Sequence, residues 1–296
     1  MAFRVEGQPV SSQVESCDSD THEATAATAA YSYTELGPDR TSRQVALATE
    51  TALTISYNGL NQAVMMVSPH DLDDFVVGFS VTNGIIADTK DLYDLDLQPG
   101  QNAAWHAELQ VSSRAFWNLK QQRRQLAGSS GCGLCGVDAL EQALPQLTPL
   151  QPSPLPPLVH LQHLRQRIDA AQQLARYSGG MHAAAFVDEH GELVLCREDI
   201  GRHNALDKLI GALLRGGHKT RGGFAVITSR CGLELLHKAV RTGIGTLVSL
   251  SSPTTLTVDW ARRHHLNLIH APHRDAPRVY SPAPPSMSGR ADREEH

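Results

Sequence analysis

Apolar positions along this chain change rhythm twice. As far as about Asp39 the residues are rich in Ala, Ser and Thr, as in Thr21-His22-Glu23-Ala24-Thr25-Ala26-Ala27-Thr28, without a sustained apolar period. Residues 1–43 are therefore expected to form a mobile extension. Beyond it, Ala52–Tyr57 and Gln62–Val67 are short β-prone runs around Asn58-Gly59, a dipeptide suited to the positive φ angles of a tight hairpin. Ser68-Pro69-His70-Asp71 reads as a helix start capped by Ser68, with Leu72, Phe75, Val76 and Phe79 as its buried stripe. Trp105, Ala107, Leu109 and Val111 alternate with His106, Glu108 and Gln110 as a further strand. Residues 44–126 thus make a small α+β domain.

Six prolines between Pro145 and Pro157 are too many for a helix or a central strand, so residues 127–158 read as a loop and semi-rigid connection. The rhythm then alternates between strand and helix. Ala183–Val187 and Leu193–Cys196 flank Asp188-Glu189-His190-Gly191 as a hairpin. Helix His203–Leu214, strand Phe224–Thr228, helix Leu233–Arg241, strand Thr246–Leu250, helix Thr255–Arg263 and strand Leu266–Ile269 follow. Short links between alternating elements predict a three-layer α/β domain over residues 159–281 with a mostly parallel sheet. Pro272 onward is proline-rich and polar, and residues 282–296 are expected to be a disordered tail.

With 296 residues, 41% of them hydrophobic, the chain can bury one large core or two modest ones. A net charge of -5 argues against a general nucleic-acid or anionic-membrane surface, so an anionic ligand must be caught locally. No run approaches the roughly 18 apolar residues of a membrane span, and no basic-then-apolar leader opens the chain, so a cytoplasmic protein is expected. The five cysteines, Cys17, Cys132, Cys135, Cys196 and Cys231, include one close pair and do not form a secreted disulfide framework.

That pair stands in Gly128-Ser129-Ser130-Gly131-Cys132-Gly133-Leu134-Cys135-Gly136, with four glycines in nine positions. Such a segment has no stiff preferred conformation. This suits a carrier thiol, which must present one sulfur to a donor and then to an acceptor, and Cys-X-X-Cys spacing lets the second thiol and nearby amides stabilise a thiolate. A structural zinc half-site is the first alternative, but a closed site takes four N or S ligands and no second Cys pair exists, so no metal is expected. A thioredoxin-like redox pair fits poorly ahead of the α/β repeat. A zinc deaminase needs H-x-E before P-C-x-x-C, whereas His182 follows the cysteines and has no such Glu. Cys196 reads as a small buried hydrophobe and Cys231 as core or cleft lining. His237, His264 and His265 read as solvated or satisfied residues.

The second constellation is Arg197-Glu198-Asp199-Ile200-Gly201-Arg202-His203-Asn204-Ala205-Leu206-Asp207-Lys208, joining a strand to a helix. Free helix-terminal amides, Gly201, Arg202 and His203 suit a phosphate, and Glu198 or Asp199 could accept from a guanine edge. A capped helix with a surface ion pair is the plainer reading. Thr228-Ser229-Arg230 and Ser251-Ser252-Pro253-Thr254-Thr255 end the following strands. In parallel α/β sheets such ends line the ligand crevice, so these polar loops are expected to converge. Neither a dinucleotide fingerprint nor a P-loop is present.

Together with Val279-Tyr280-Ser281, these motifs resemble the FdhD formate dehydrogenase accessory sulfurtransferases from about Val45 to Ser281. The resemblance implies a cytidine-deaminase-like α/β domain with a smaller N-terminal domain, assembled as a homodimer. It implies a function as well: sulfur from a cysteine desulfurase is carried as a persulfide on Cys132, with Cys135 as its partner, to the molybdenum bis-guanine-dinucleotide cofactor of formate dehydrogenase. Guanosine diphosphate would mimic part of that cofactor. The implied cofactor loops comprise Asp199, Gly201, Arg202, His203 and Asn204, then Ser229 and Arg230, then Ser252 and Thr254. The family's cofactor segment falls at Ala271, Pro272, His273, Arg274, Asp275 and Ala276. Family members carry an aromatic residue and several glycines or basic residues there, where this chain has Ala271 and Asp275. A rival of another class is a chaperone that escorts the cofactor without sulfur chemistry. Molybdenum is a soft acceptor for sulfur, which links the thiol loop to the anion-collecting crevice.

Overall fold

The computed structural model describes residues 28–36, 40–128 and 147–284. Its first pair of strands, β1 (Thr28–Thr34) and β2 (Ser42–Ala48), is an antiparallel hairpin with Tyr31 opposite Val45 and Ala29 opposite Leu47. The stretch from Thr28 is therefore strand rather than a structureless extension. Pairing supplies the order that its weak apolar period does not.

A four-stranded sheet follows, in the order β4-β3-β6-β5, built from β3 (Thr51–Tyr57), β4 (Leu60–Val67), β5 (Leu92–Pro99) and β6 (Trp105–Val111). Asn58 and Gly59 have φ of 46° and 78°, the left-handed turn expected between β3 and β4. Helix α1 (Leu72–Thr82) packs Leu72, Phe75, Val76 and Val81 on this sheet beside Leu53, Ile55 and Leu109. Its expected cap is corrected: Asp71, not Ser68, stands at the N-cap, in left-handed geometry and without a side-chain cap bond. Ser68 is drawn instead to the C-terminal sheet, where its amide donates to Asp199 Oδ2 at 3.0 Å and its hydroxyl accepts from the Ile200 amide. Helix α2 (Ser113–Gly128) leads toward the cysteine loop.

The second sheet has six strands in the order β12-β11-β10-β9-β7-β8. They are β7 (His182–Val187), β8 (Leu193–Asp199), β9 (Phe224–Ile227), β10 (Thr246–Ser249), β11 (Asn267–His270) and β12 (Arg278–Ser281). Only the β9–β10 and β10–β11 pairings are parallel. The expected mostly parallel sheet is thus mixed, because the short Asp188–Glu192 turn forces β7 and β8 antiparallel and β12 folds back along β11. Helices cover both faces. On one lie α6 (Arg202–Arg215), α7 (Leu233–Arg241) and α8 (Thr255–Arg263), which bury Leu206, Leu209, Leu235, Leu236 and Trp260 against Phe186, Ile227, Leu247 and Leu268. On the other, α3 (Leu158–Leu161) and α4 (Leu164–Ala171) bury Leu161, Leu164 and Ile168 against Val226, Val248 and Ile269. A one-turn helix α5 (Ala175–Ser178) precedes β7.

Helices α1 and α6 join the two sheets. A Cβ on Gly78 would come within 1.8 Å of the Asp207 carbonyl oxygen, and one on Gly211 within 1.8 Å of that of Asp74, so the backbones touch where side chains are absent. Around this crossing Asp74 pairs with Arg197 and Arg215, and Asp207 accepts from Thr82 Oγ1 and pairs with Lys238.

Candidate functional site

Strands β8, β9, β10 and β11 run in one direction, with β7 and β12 opposed. The loops after Asp199, Ile227, Ser249 and His270 therefore emerge along a single sheet edge, with His182 and Arg278 at the starts of β7 and β12. From β8 to β11 that edge spans four strand spacings, about 19 Å.

At one end the loop before α6 is rigidly held. Asp199 is fully buried: Oδ2 pairs with Lys208 Nζ at 2.8 Å and accepts the Ser68 amide, while Oδ1 accepts the Gly201 amide and Asn204 Nδ2. Lys208, equally enclosed, also donates to the Ser68 and Glu198 carbonyls. Glu198 is buried as well and accepts the amides of Gln173, Leu174 and Ala175, fixing the start of α5. Both carboxylates are buried with their oxygens taken by donors of the protein itself, which corrects the expectation that one of them reads a guanine edge. Gly201 and Asn204 likewise serve this loop, Asn204 also donating to Met66 O.

What this construction presents is the first turn of α6, whose amides have no partners within the helix. Arg202 forms no ion pair among the described residues. Its charge lowers the pKa of His182 at the start of β7, a smaller cause than that ring's burial. His203 sits 3.3 Å from Glu234, with its pKa lowered chiefly by burial and then by Arg202.

In the middle of the edge, Ser229 is buried and its carbonyl accepts from Ser249 Oγ, while Arg230 is exposed. Ser252 is exposed. Thr254 caps α8 through reciprocal bonds with Thr257, which assigns its hydroxyl to the helix. Cys231 lies in the core with its thiol pushed up to about 12 by burial, resolving the choice between core and cleft. Burial likewise raises half-buried Cys196 to about 12. At the far end, Ala271 is buried while His273, Arg274, Asp275 and Ala276 are exposed. All of these but Ala276 line a groove of about 320 Å³ with Pro272 and with His163, Arg165 and Asp169 from the α3–α4 turn and α4.

The pattern described as the FdhD/NarQ family matches residues 48–285. The chain belongs to the FdhD/NarQ family. It is 37% identical over 246 residues to the sulfur carrier protein FdhD of Cupriavidus necator, covering 83% of each chain. It is 37% identical over 235 residues to that of Bordetella parapertussis, covering 79% of this chain and 85% of that one. A crystal structure of a chain assigned as a formate dehydrogenase accessory protein from Desulfotalea psychrophila superposes with a TM-score of 0.68 at 21% identity, over 86% of this chain and 96% of that one.

Within this FdhD/NarQ chain, Cys132 and Cys135 lie outside the described residues, as does Cys17. No cluster of His, Cys, Asp or Glu able to hold a metal occurs among the described residues, and none of their helices is long and apolar enough to cross a membrane. The expected loops do share one edge, with the Arg202 loop near one end, the Ser229–Arg230 and Ser252–Thr254 loops between, and the Arg274 loop near the other end. Sequence reasoning missed Ser68 and Arg165, which reach the edge from elements distant in the chain. Lys208 was legible within its block, though not as the counter-charge of Asp199.

Proposed function

We propose that this chain is a sulfur carrier that passes persulfide sulfur from a cysteine desulfurase to the molybdenum bis-guanine-dinucleotide cofactor destined for formate dehydrogenase. The observation that carries the reading is the convergence of the loops after β8, β9, β10 and β11 on one edge that ends at Arg202 on one side and Arg274 on the other. An acceptor with two nucleotide arms needs two separated anion positions, and a span of about 19 Å supplies them. Helices on both faces of the six-stranded sheet agree with the cytidine-deaminase-like domain that the resemblance implies.

In the chemical step, Cys132 thiolate attacks the outer sulfur of the desulfurase persulfide. A new S–S bond forms on Cys132, and the desulfurase cysteine leaves as thiolate. Attack by Cys135 on the inner Cys132 sulfur then frees the outer sulfur as hydrosulfide at the acceptor. The dithiol supplies the two electrons and becomes a disulfide, which external thiol reduces. The protein acts in the cytoplasm, as a homodimer.

The test is mass spectrometry of the intact protein after incubation with a desulfurase and cysteine. One added sulfur is expected on Cys132, absent in Cys132→Ala, and that variant should fold normally yet fail to mature formate dehydrogenase. No sulfur on the unmodified protein would favour an escort without sulfur chemistry.

A further inference from the structure

On a chain whose net charge is -5, the outward face of α2 is cationic and aromatic. Between Ser113 and Gly128 the sequence holds Arg114, Lys120, Arg123 and Arg124 and no acidic residue. Ala115 and Leu119 are buried against the four-stranded sheet, with Phe116 packed beside them. Helical spacing then sets Trp117 on the opposite side, with Arg114 and Lys120 about one turn before and after it. Trp117 is 61% exposed, although tryptophan is highly buried on average. Lys120 stands 4.0 Å from the centre of the Phe116 ring and forms no ion pair among the described residues. Arg114 reaches Asp91 at 3.2 Å with its side chain 77% exposed. Exposed Asp94 and Asp96 of β5 alternate with Leu95 and Leu97 of the core, so they lie on the sheet's other face. Arg123 donates to the Asn61 carbonyl at 2.9 Å, tying the helix to the start of β4. Tryptophan and arginine dominate the hot spots of protein interfaces, and a cationic rim selects an acidic counterpart.

We propose that the outward face of α2 is the docking surface for the protein that donates sulfur, a partner with an acidic surface around an apolar socket for Trp117. Cys132 follows Gly128, the last residue of α2, by four positions. That length of chain spans at most about 14 Å, so a donor seated on the helix has the thiol within reach. The acceptor is assigned to the edge of the six-stranded sheet, whereas α2 packs on the four-stranded one. Donor and acceptor therefore bind at different sheets and do not compete for one surface. The inference rests on the reading of the chain as a sulfur carrier, and it adds where the donor binds.

The test compares two sulfur donors on the full-length protein, with intact mass spectrometry following the rate at which sulfur is added. One donor is a cysteine desulfurase supplied with cysteine, below saturation. The other is free cysteine persulfide, which needs no docking: the protein thiolate attacks its outer sulfur and cysteine leaves as thiolate. Trp117→Ala and Lys120→Glu should each slow loading from the desulfurase about tenfold, the scale of losing an interface hot spot. Loading from cysteine persulfide should stay unchanged in both. Arg221→Glu, an equal charge change at an exposed position before β9, should alter neither. Added salt should slow loading from the desulfurase less in Lys120→Glu than in the native protein, because charge steering is screened. Native rates from the desulfurase in both α2 variants would overturn the proposal. Equal losses with both donors would place the defect in the thiol segment and overturn it as well. Normal loading followed by failure to mature formate dehydrogenase would give the face to the acceptor, and a Trp117→Ala chain that loses self-association would give it to a second copy. Either result rejects the donor. A native protein that takes sulfur from neither donor would reject the functional reading itself.

Discussion

Asp199 fixes the loop before α6. Its two oxygens hold Ser68, Gly201, Asn204 and Lys208 at once, and none of its surface is exposed. Replacing it by Asn leaves the Lys208 ammonium buried without its counter-charge. The expected cost is about 3–5 kcal/mol of folding stability, typical of removing one partner from a buried ion pair. Urea unfolding measures this directly. Because the carboxylate is enclosed and both its oxygens are engaged within the protein, guanosine and adenosine diphosphate should lose affinity together as the loop loosens. Unchanged stability with a lost preference for guanine would return Asp199 to the ligand.

At the scale of elements, the contact that joins the two sheets is the crossing of α1 and α6 at Gly78 and Gly211. Alanine at either position drives a methyl into a carbonyl oxygen of the facing helix. Because that neighbour is backbone, it cannot swing aside. Each substitution should cost about 1–3 kcal/mol, the usual penalty of overpacking. The two together should cost less than their sum, since the helix shift that admits one methyl makes room for the other. Paired denaturation curves for the single and double variants check both statements, and additive costs would place the two contacts in independent sites.

For the whole molecule, the consequence is a long edge with an arginine, Arg202 or Arg274, near each end. Arg202 and Arg274 stand on the loops after β8 and β11, whose strand spacings sum to about 19 Å, too far to share one phosphate. Titration with guanosine diphosphate should therefore saturate at two sites per chain. Arg202→Ala should remove one and Arg274→Gln the other, with effects that add because the sites share no partner. A single site per chain in the native protein would confine the ligand to one end of the edge.

The sequence by itself determined the local elements: the Asn58-Gly59 turn, the stripe of α1, the alternation of strand and helix from Ala183 onward, and the polar ends of β8, β9 and β10. Each follows from a rhythm or a turn preference spanning a few residues, which a linear reading can see. The family's motifs were also legible, because they are short and continuous. Tertiary structure alone decided that Ser68 binds Asp199, 131 positions away, rather than capping α1. It also turned the expected parallel sheet into a mixed one, closed a groove from α4 and the Ala271–Asp275 loop, and enclosed a carboxylate that sequence offered to a ligand. A residue type fixes which bonds a side chain can make, but burial and the partner that arrives across the fold fix which of them are made.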